Sequence, residues 1–190
     1  MNKKVFLIIF CISLPLLLLL ISYKTTIYFS DLTLNQEKTM NFLNDNEDLT
    51  LNYTAKEVSH LQDVKKVMIS VNYLFYFFLS LTTLIIIYHR NDLEEIKRLI
   101  RFGGITTVLL ILFIIMTSII SFNYSFTVFH QIFFPQGNWI FPFDSLLIQT
   151  FPLSFFIYIS RTIFLQALLL GSLFIFVSFY LKNENIHKRD

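Results

Sequence analysis

The residues of this chain best suited to chemistry are an imidazole between two carboxylates. Glu57, His60 and Asp63 stand at intervals of three. In a helix, at ~100° per residue, the carboxylates fall about 60° to either side of the histidine. A second histidine, His130, lies in a segment crowded with aromatic rings. Histidine takes up and returns a proton near neutral pH, so the pair suits general acid–base work. Glu57-x-x-His60 also has the spacing of a carboxylate-bridged metal motif, which normally comes twice. Only one copy exists here, so a metal-dependent membrane hydrolase using Glu57, His60, Asp63 and His130 is a lesser alternative. Bland readings stand beside each residue. Glu57 closes a capping box begun by Thr54. Asp63 has Lys66 at i+3. Asp144 precedes a helix and suits its N-cap. Arg161 snorkels to lipid headgroups, or clamps a lipid phosphate or carbonyl. His89 and His187 read as solvated residues.

The elements that must hold these residues are membrane helices. Of 190 residues, 55% are hydrophobic, 23 are Phe and only 4 are Gly. The apolar residues fall in four blocks, about 5–23, 67–88, 105–121 and 162–181. Each approaches the ~20 residues needed to cross ~30 Å of hydrocarbon, and the backbone there must satisfy itself as helix. The first block exceeds a signal-peptide core and lacks a small-residue cleavage site, so it is expected to remain as a span. Lys3, Lys4, Arg90, Lys97, Arg98, Arg101, Lys182, Lys188 and Arg189 cluster in three short segments. This asymmetry predicts cytoplasmic termini and a cytoplasmic 89–104 loop, with 24–66 and 122–161 on the outer face of the cell membrane.

Within the first outer segment, 35–43 reads as a short helix. Leu49, Leu51 and Tyr53 alternate like a half-buried strand. A helix starting at Ala55 then meets no breaker before Tyr88. The 89–104 loop reads as a short amphipathic helix, with a Glu94–Arg98 pair, ending at Gly103-Gly104. The aromatic 122–161 segment is broken by Pro135, Gly137, Pro142 and Pro152. It is expected to lie in the outer interface and partly re-enter the membrane. The fold class is thus an all-α membrane protein of one domain. It is a four-transmembrane-helix bundle with a small mixed extracytoplasmic cap and an aromatic interfacial hairpin.

Composition removes several functions. A net charge of +2 is too small to point to nucleic acid, and one cysteine, Cys11, forms neither an intrachain disulfide nor a thiolate metal cluster. No ionisable residue sits mid-span, which disfavours transport. A membrane interaction protein, packing its aromatic loop on a partner's helix, is the non-enzymatic alternative.

Two strings carry a more specific signal. The first is Tyr53-x-x-x-Glu57-x-x-His60-Leu61-x-Asp63-Val64-Lys65. The second runs Phe129-His130-x-x-Phe133-Phe134, Trp139, Asp144-x-Leu146-Leu147-Ile148, then Phe151-Pro152-x-x-Phe155-Phe156. In this order, each on an outer segment, they resemble the lipoprotein intramolecular transacylases of low-GC Gram-positive bacteria. Where that family usually has Leu-Ile after the aspartate, this chain has Leu146-Leu147-Ile148. The resemblance implies a substrate: a lipoprotein whose N-terminal cysteine carries a diacylglyceryl thioether. The sn-2 acyl chain would move onto that cysteine's α-amino group, giving the lyso-form. His60 and His130 would be catalytic. Glu57, Asp63, Trp139, Asp144 and Arg161 would support them or bind substrate. No metal or other cofactor is implied, and membrane lipid is the surrounding partner.

Overall fold

The computed structural model describes residues 3–181. The basic residues Lys182, Lys188 and Arg189, and with them His187, lie outside the described residues. Among the described residues there are seven helices: α1 (Lys3–Tyr28), α2 (Leu34–Leu43), α3 (Ala55–Tyr88), α4 (Leu93–Ile120), α5 (Phe122–Phe133), α6 (Leu146–Thr150) and α7 (Leu153–Tyr180). Of these, α1, α3, α4 and α7 are long and apolar enough to cross a membrane. Only 11% of the most apolar stretch of α3 is buried inside the protein. Its exposed Tyr73, Phe77, Leu84 and Ile87 would face water in a soluble fold, and suit lipid instead.

The chain divides into two compact units. The first comprises 1–24, 75–115 and 163–190, and the second 25–74 and 116–162. The first unit packs Phe6, Phe10, Leu14, Leu18, Ile85 and Leu99 into a core. Here the expected short helix ending at Gly103-Gly104 gives way to one helix, α4, running through both glycines. The glycines serve packing rather than termination. A Cβ on Gly103 would stand 2.7 Å from Leu14 Cδ2, and one on Gly104 2.8 Å from the Gly171 carbonyl oxygen. Glu94 pairs with Lys97 and Arg98 with Glu95, each at i,i+3 spacing. His89 is buried against Phe6 and Tyr88, not solvated.

Gly104→Ala is therefore expected to destabilise the protein by about 1–3 kcal/mol, the usual cost of overpacking, because backbone cannot retreat as a side chain can. Thermal unfolding in detergent micelles measures it; an unchanged midpoint would contradict the close approach.

In the second unit, α2 and the start of α3 appear where the sequence places them. Thr54 and Glu57 form the expected capping box: Thr54 N–H donates to Glu57 Oε2 at 2.7 Å, and Glu57 N–H to Thr54 Oγ1 at 3.4 Å. Thr33 and Gln36 form another at the start of α2. The strand expected around 49–53 is absent: these residues are irregular, and no strand occurs among the described residues. A lone extended segment has no ladder to satisfy its backbone. Its alternation is used for packing instead, with Leu49 and Tyr53 against a core of Met40, Leu43, Leu61, Leu147 and Phe151. The aromatic 122–161 segment is built from α5, an irregular stretch, the single turn α6 and the first part of α7. The fourth apolar helix starts at Leu153, earlier than expected, since Pro152 suits the position just before a helix.

Candidate active site

One face of the first turns of α3 builds the site. Residues 56, 59, 60 and 63 recur at helical spacing, so their side chains share a side. With Glu57 they fasten the irregular stretch 134–145 and the start of α6. Lys56 Nζ donates to the Ile140 carbonyl oxygen at 2.7 Å. Asp63 Oδ2 accepts from Gln136 Nε2 at 2.6 Å and from Asn138 Nδ2 at 2.9 Å. Asn138 Nδ2 also donates to Ser59 Oγ at 3.3 Å. Glu57, only 1% exposed, spans both jobs: Oε2 caps α3, while Oε1 accepts from Leu147 N–H at 2.8 Å. Burial alone would push this carboxyl up. The donors from Leu147 and Thr54 prevail and hold it below the usual carboxylate range. Gly137, at φ 75°, makes the turn that aims Gln136 and Asn138 at α3.

That fastening brings the two histidines together. The rings of His60 and His130 lie 6.3 Å apart, near-parallel at 26°. His60 is 7% and His130 8% exposed. Phe134 touches both rings, at 4.8 Å from His60 and 5.6 Å from His130. Phe141 closes on His60, and Phe126 and Trp139 on His130, at 5.6, 4.0 and 5.0 Å. A shallow cavity of about 320 Å³ adjoins, lined by Gln131, Phe134, Pro135, Gly137, Trp139 and Ile140.

This apolar enclosure sets the proton chemistry. His60 lies outside the apolar block of α3, and burial pushes its pKa down to about 4. Asn138 and the Asp63 charge oppose that shift, and His130 adds to it. His130 is also pushed below its ordinary value by burial, against the pull of the Phe126 carbonyl. Burial thus favours the neutral form of both rings. The His130 tautomer is fixed as well. Nδ1 lies 2.8 Å from the Phe126 carbonyl oxygen, which can only accept, so Nδ1 carries the proton and Nε2 keeps a lone pair.

The other residues expected at the site divide. Trp139 joins it directly. Asp63 reaches it through Asn138, and is also paired with Lys66 at 2.9 Å. Asp144 is exposed, with its carbonyl accepting from Gln149, and Ser145 is the N-cap of α6 in its place. Arg161 is exposed, eight residues into α7, with no contact to either histidine among the described residues. Lys56, Ser59, Gln136 and Asn138 escaped the sequence reading. Polar loop residues carry no periodic signal, although the i, i+3, i+7 spacing of Lys56, Ser59 and Asp63 was visible. No group of three or more His, Cys, Asp or Glu side chains converges for a metal among the described residues. The carboxylates of Glu57 and Asp63 are committed elsewhere.

A profile for the family "Lipoprotein intramolecular transacylase Lit" matches residues 5–156. The chain belongs to the lipoprotein intramolecular transacylase family. Among solved structures, the membrane-integral lipoprotein intramolecular transacylase Lit of Bacillus cereus covers 94% of this chain and 94% of its own, at TM-score 0.82 and 19% identity. A second structure of that transacylase, with one histidine replaced by arginine, has TM-score 0.76 at 18% identity, covering 94% and 91%. A third, with alanine there, has TM-score 0.77 at 18% identity, covering 94% and 93%. At such identity these structures speak for the transacylase fold. A protein of Aquifex aeolicus (strain VF5), described as uncharacterized, is 31% identical over 105 residues, 54% of this chain and 45% of its own. The chain thus spans less than half the length of that relative.

Proposed function

We propose that this protein transfers the sn-2 acyl chain of a diacylglyceryl-modified bacterial lipoprotein to the α-amino group of the same N-terminal cysteine. The observation that carries this is the pair of buried histidines 6.3 Å apart in an aromatic enclosure. Amine and ester are tethered to one residue, so much of the entropy of meeting is already met. The neutral amine attacks the ester carbonyl. The new C–N bond leaves nitrogen positively charged and the carbonyl oxygen negative. That nitrogen is far more acidic than a free ammonium, so even a weak, low-pKa base deprotonates it. His130 Nε2 is that base, since Nδ1–H is held by Phe126. The C–O bond to glycerol then breaks, and the proton taken up by His130 Nε2 passes to His60 Nε2 and from there to the glyceryl oxygen. One N–H is lost and one O–H gained, so no nucleophilic Ser or Cys and no net proton is required. Trp139 and the aromatic rings receive the acyl chains.

The α5 helix supports an interfacial site in the outer leaflet. It turns His130 inward and leaves Tyr124, Phe129, Ile132 and Phe133 exposed, an arrangement suited to lying against lipid. Cytoplasmic termini follow from the basic-residue bias, and Gram-positive origin from the family resemblance.

Product and substrate have equal mass, so the test is fragmentation rather than intact mass. Purified protein in nanodiscs receives diacylglyceryl lipopeptides, half with a deuterated sn-2 chain on an isotopically distinct peptide. Tandem mass spectra are expected to show N-acyl peptide and a freed sn-2 hydroxyl, with each chain on its own peptide. Label crossing between peptides would refute the intramolecular route; absence of N-acyl product would refute the activity.

A further inference from the structure

Buried polar atoms without a partner are rare, because each forfeits its hydration. Two lie beside the proposed reaction: Nδ1 of His60 and Oδ1 of Asn138. They are complementary, since an imidazole nitrogen can donate and an amide oxygen can only accept. The orientation of the amide is fixed from its far end. Asn138 Nδ2 donates to Asp63 Oδ2 at 2.9 Å and to Ser59 Oγ at 3.3 Å. A carboxylate only accepts, so the nitrogen must stand on that side and the oxygen on the other. Asp63 is itself held by Gln136 at 2.6 Å and by Lys66 at 2.9 Å. Ser59 and Asp63 share the face of α3 that carries His60, so the anchored amide lies on the side of that ring.

We infer that Asn138 is a positioning residue for His60: its amide oxygen takes the Nδ1 proton, so that His60 presents a free Nε2 to the substrate. The chain Lys66–Asp63–Asn138–His60 then does for His60 what the Phe126 carbonyl does for His130. Both histidines offer the same nitrogen. A carboxylate in direct contact would draw His60 toward the charged state; an intervening amide fixes the tautomer and leaves the ring neutral. This inference rests on the proposed acyl transfer for its catalytic consequence, but not for its tautomer.

The test is solid-state ¹⁵N NMR of histidine-labelled protein in bilayers at pH 7, with His60 assigned by its loss in His60→Ala. Wild type is expected to show His60 protonated at Nδ1. In Asn138→Ala the signal is expected to move to the Nε2–H form or a mixture. Asn138→Leu, which keeps the volume but offers no acceptor, should do the same. Ser59→Ala should leave the tautomer intact, because Asp63 still orients the amide. Turnover in Asn138→Ala should fall roughly ten- to a hundredfold, the range typical of groups that orient a histidine, chiefly in kcat. It should fall no further when added to His60→Ala. A His60 tautomer unchanged in both Asn138 variants, or an undiminished loss in the His60→Ala background, would overturn the inference. A tautomer that shifts as expected in a protein without acyl transfer would support the positioning and refute the function.

Discussion

His130→Ala is expected to cut formation of N-acyl product by about 10²–10⁴-fold, the usual cost of losing a general base. His60→Ala should fall in the same range. In both cases the amine and ester stay tethered, so a residual rate above that of protein-free vesicles should remain. His130 sits on α5 with its apolar neighbours outward and the ring enclosed, so alanine leaves a cavity rather than an exposed charge. The variants should therefore stay folded, with unchanged chromatographic profile and helical signal. Three controls sharpen the result. Cys11→Ser should leave turnover intact. So should a chelator, since the carboxylates nearest the histidines are already bound to backbone and amide donors. Arg161→Ala should cost less than tenfold, because Arg161 makes no contact with either ring. If chelation abolishes turnover and zinc restores it, a metal hydrolase is the better reading. If neither histidine matters, proton transfer through them is wrong.

What the sequence revealed of this site was its periodic half. Glu57, His60 and Asp63 share a helix whose start is announced by a local device, the Thr54–Glu57 capping box, so their common face follows from spacing. Lys56 and Ser59 lie on that face too but have commonplace identities. The other half is an irregular loop, and Gln136 and Asn138 gain their roles only by folding onto α3, a contact between residues more than seventy positions apart. Glu57 shows the same limit. The capping box was legible, while its second oxygen, anchoring Leu147 ninety positions away, was not. Gly103-Gly104 misled for a related reason. Glycines after a polar helical stretch suggest a helix end, and only the neighbours that crowd them reveal a packing role. Alternation at Leu49, Leu51 and Tyr53 likewise predicted a strand, but alternation reports which side chains are buried and not whether a partner strand exists. Asp144 and Ser145 compete for one N-cap, and one residue of register decided for the serine.

The pH profile of kcat/KM should distinguish histidines held neutral from histidines that work as cations. The substrate α-amine, with a pKa of about 8, must be neutral to attack. From about pH 8 down to about pH 6.5, kcat/KM should therefore fall tenfold per pH unit, from that ionisation alone. Burial lowers the pKa of both rings, His60 to about 4, so the His60 ring adds no second proton in this window. Further down the slope should steepen as ring protonation adds to that of the amine. Stability follows the same sign. A ring whose folded pKa is depressed binds its proton more readily once unfolded. The neutral rings thus cost nothing above pH 6.5, and stability is lost as pH falls below it. Rates should accordingly be taken only where activity returns fully at pH 7. A steeper slope already at pH 7 would mean that a ring titrates there and is not held neutral; a slope that flattens, or a rate that rises as pH falls through 6.5, would mean that at least one ring starts the reaction as a cation. The oxyanion would then be met by a histidinium, and the enclosure of aromatic rings would need a counter-charge that Asp63, screened behind Asn138, is too far committed to supply.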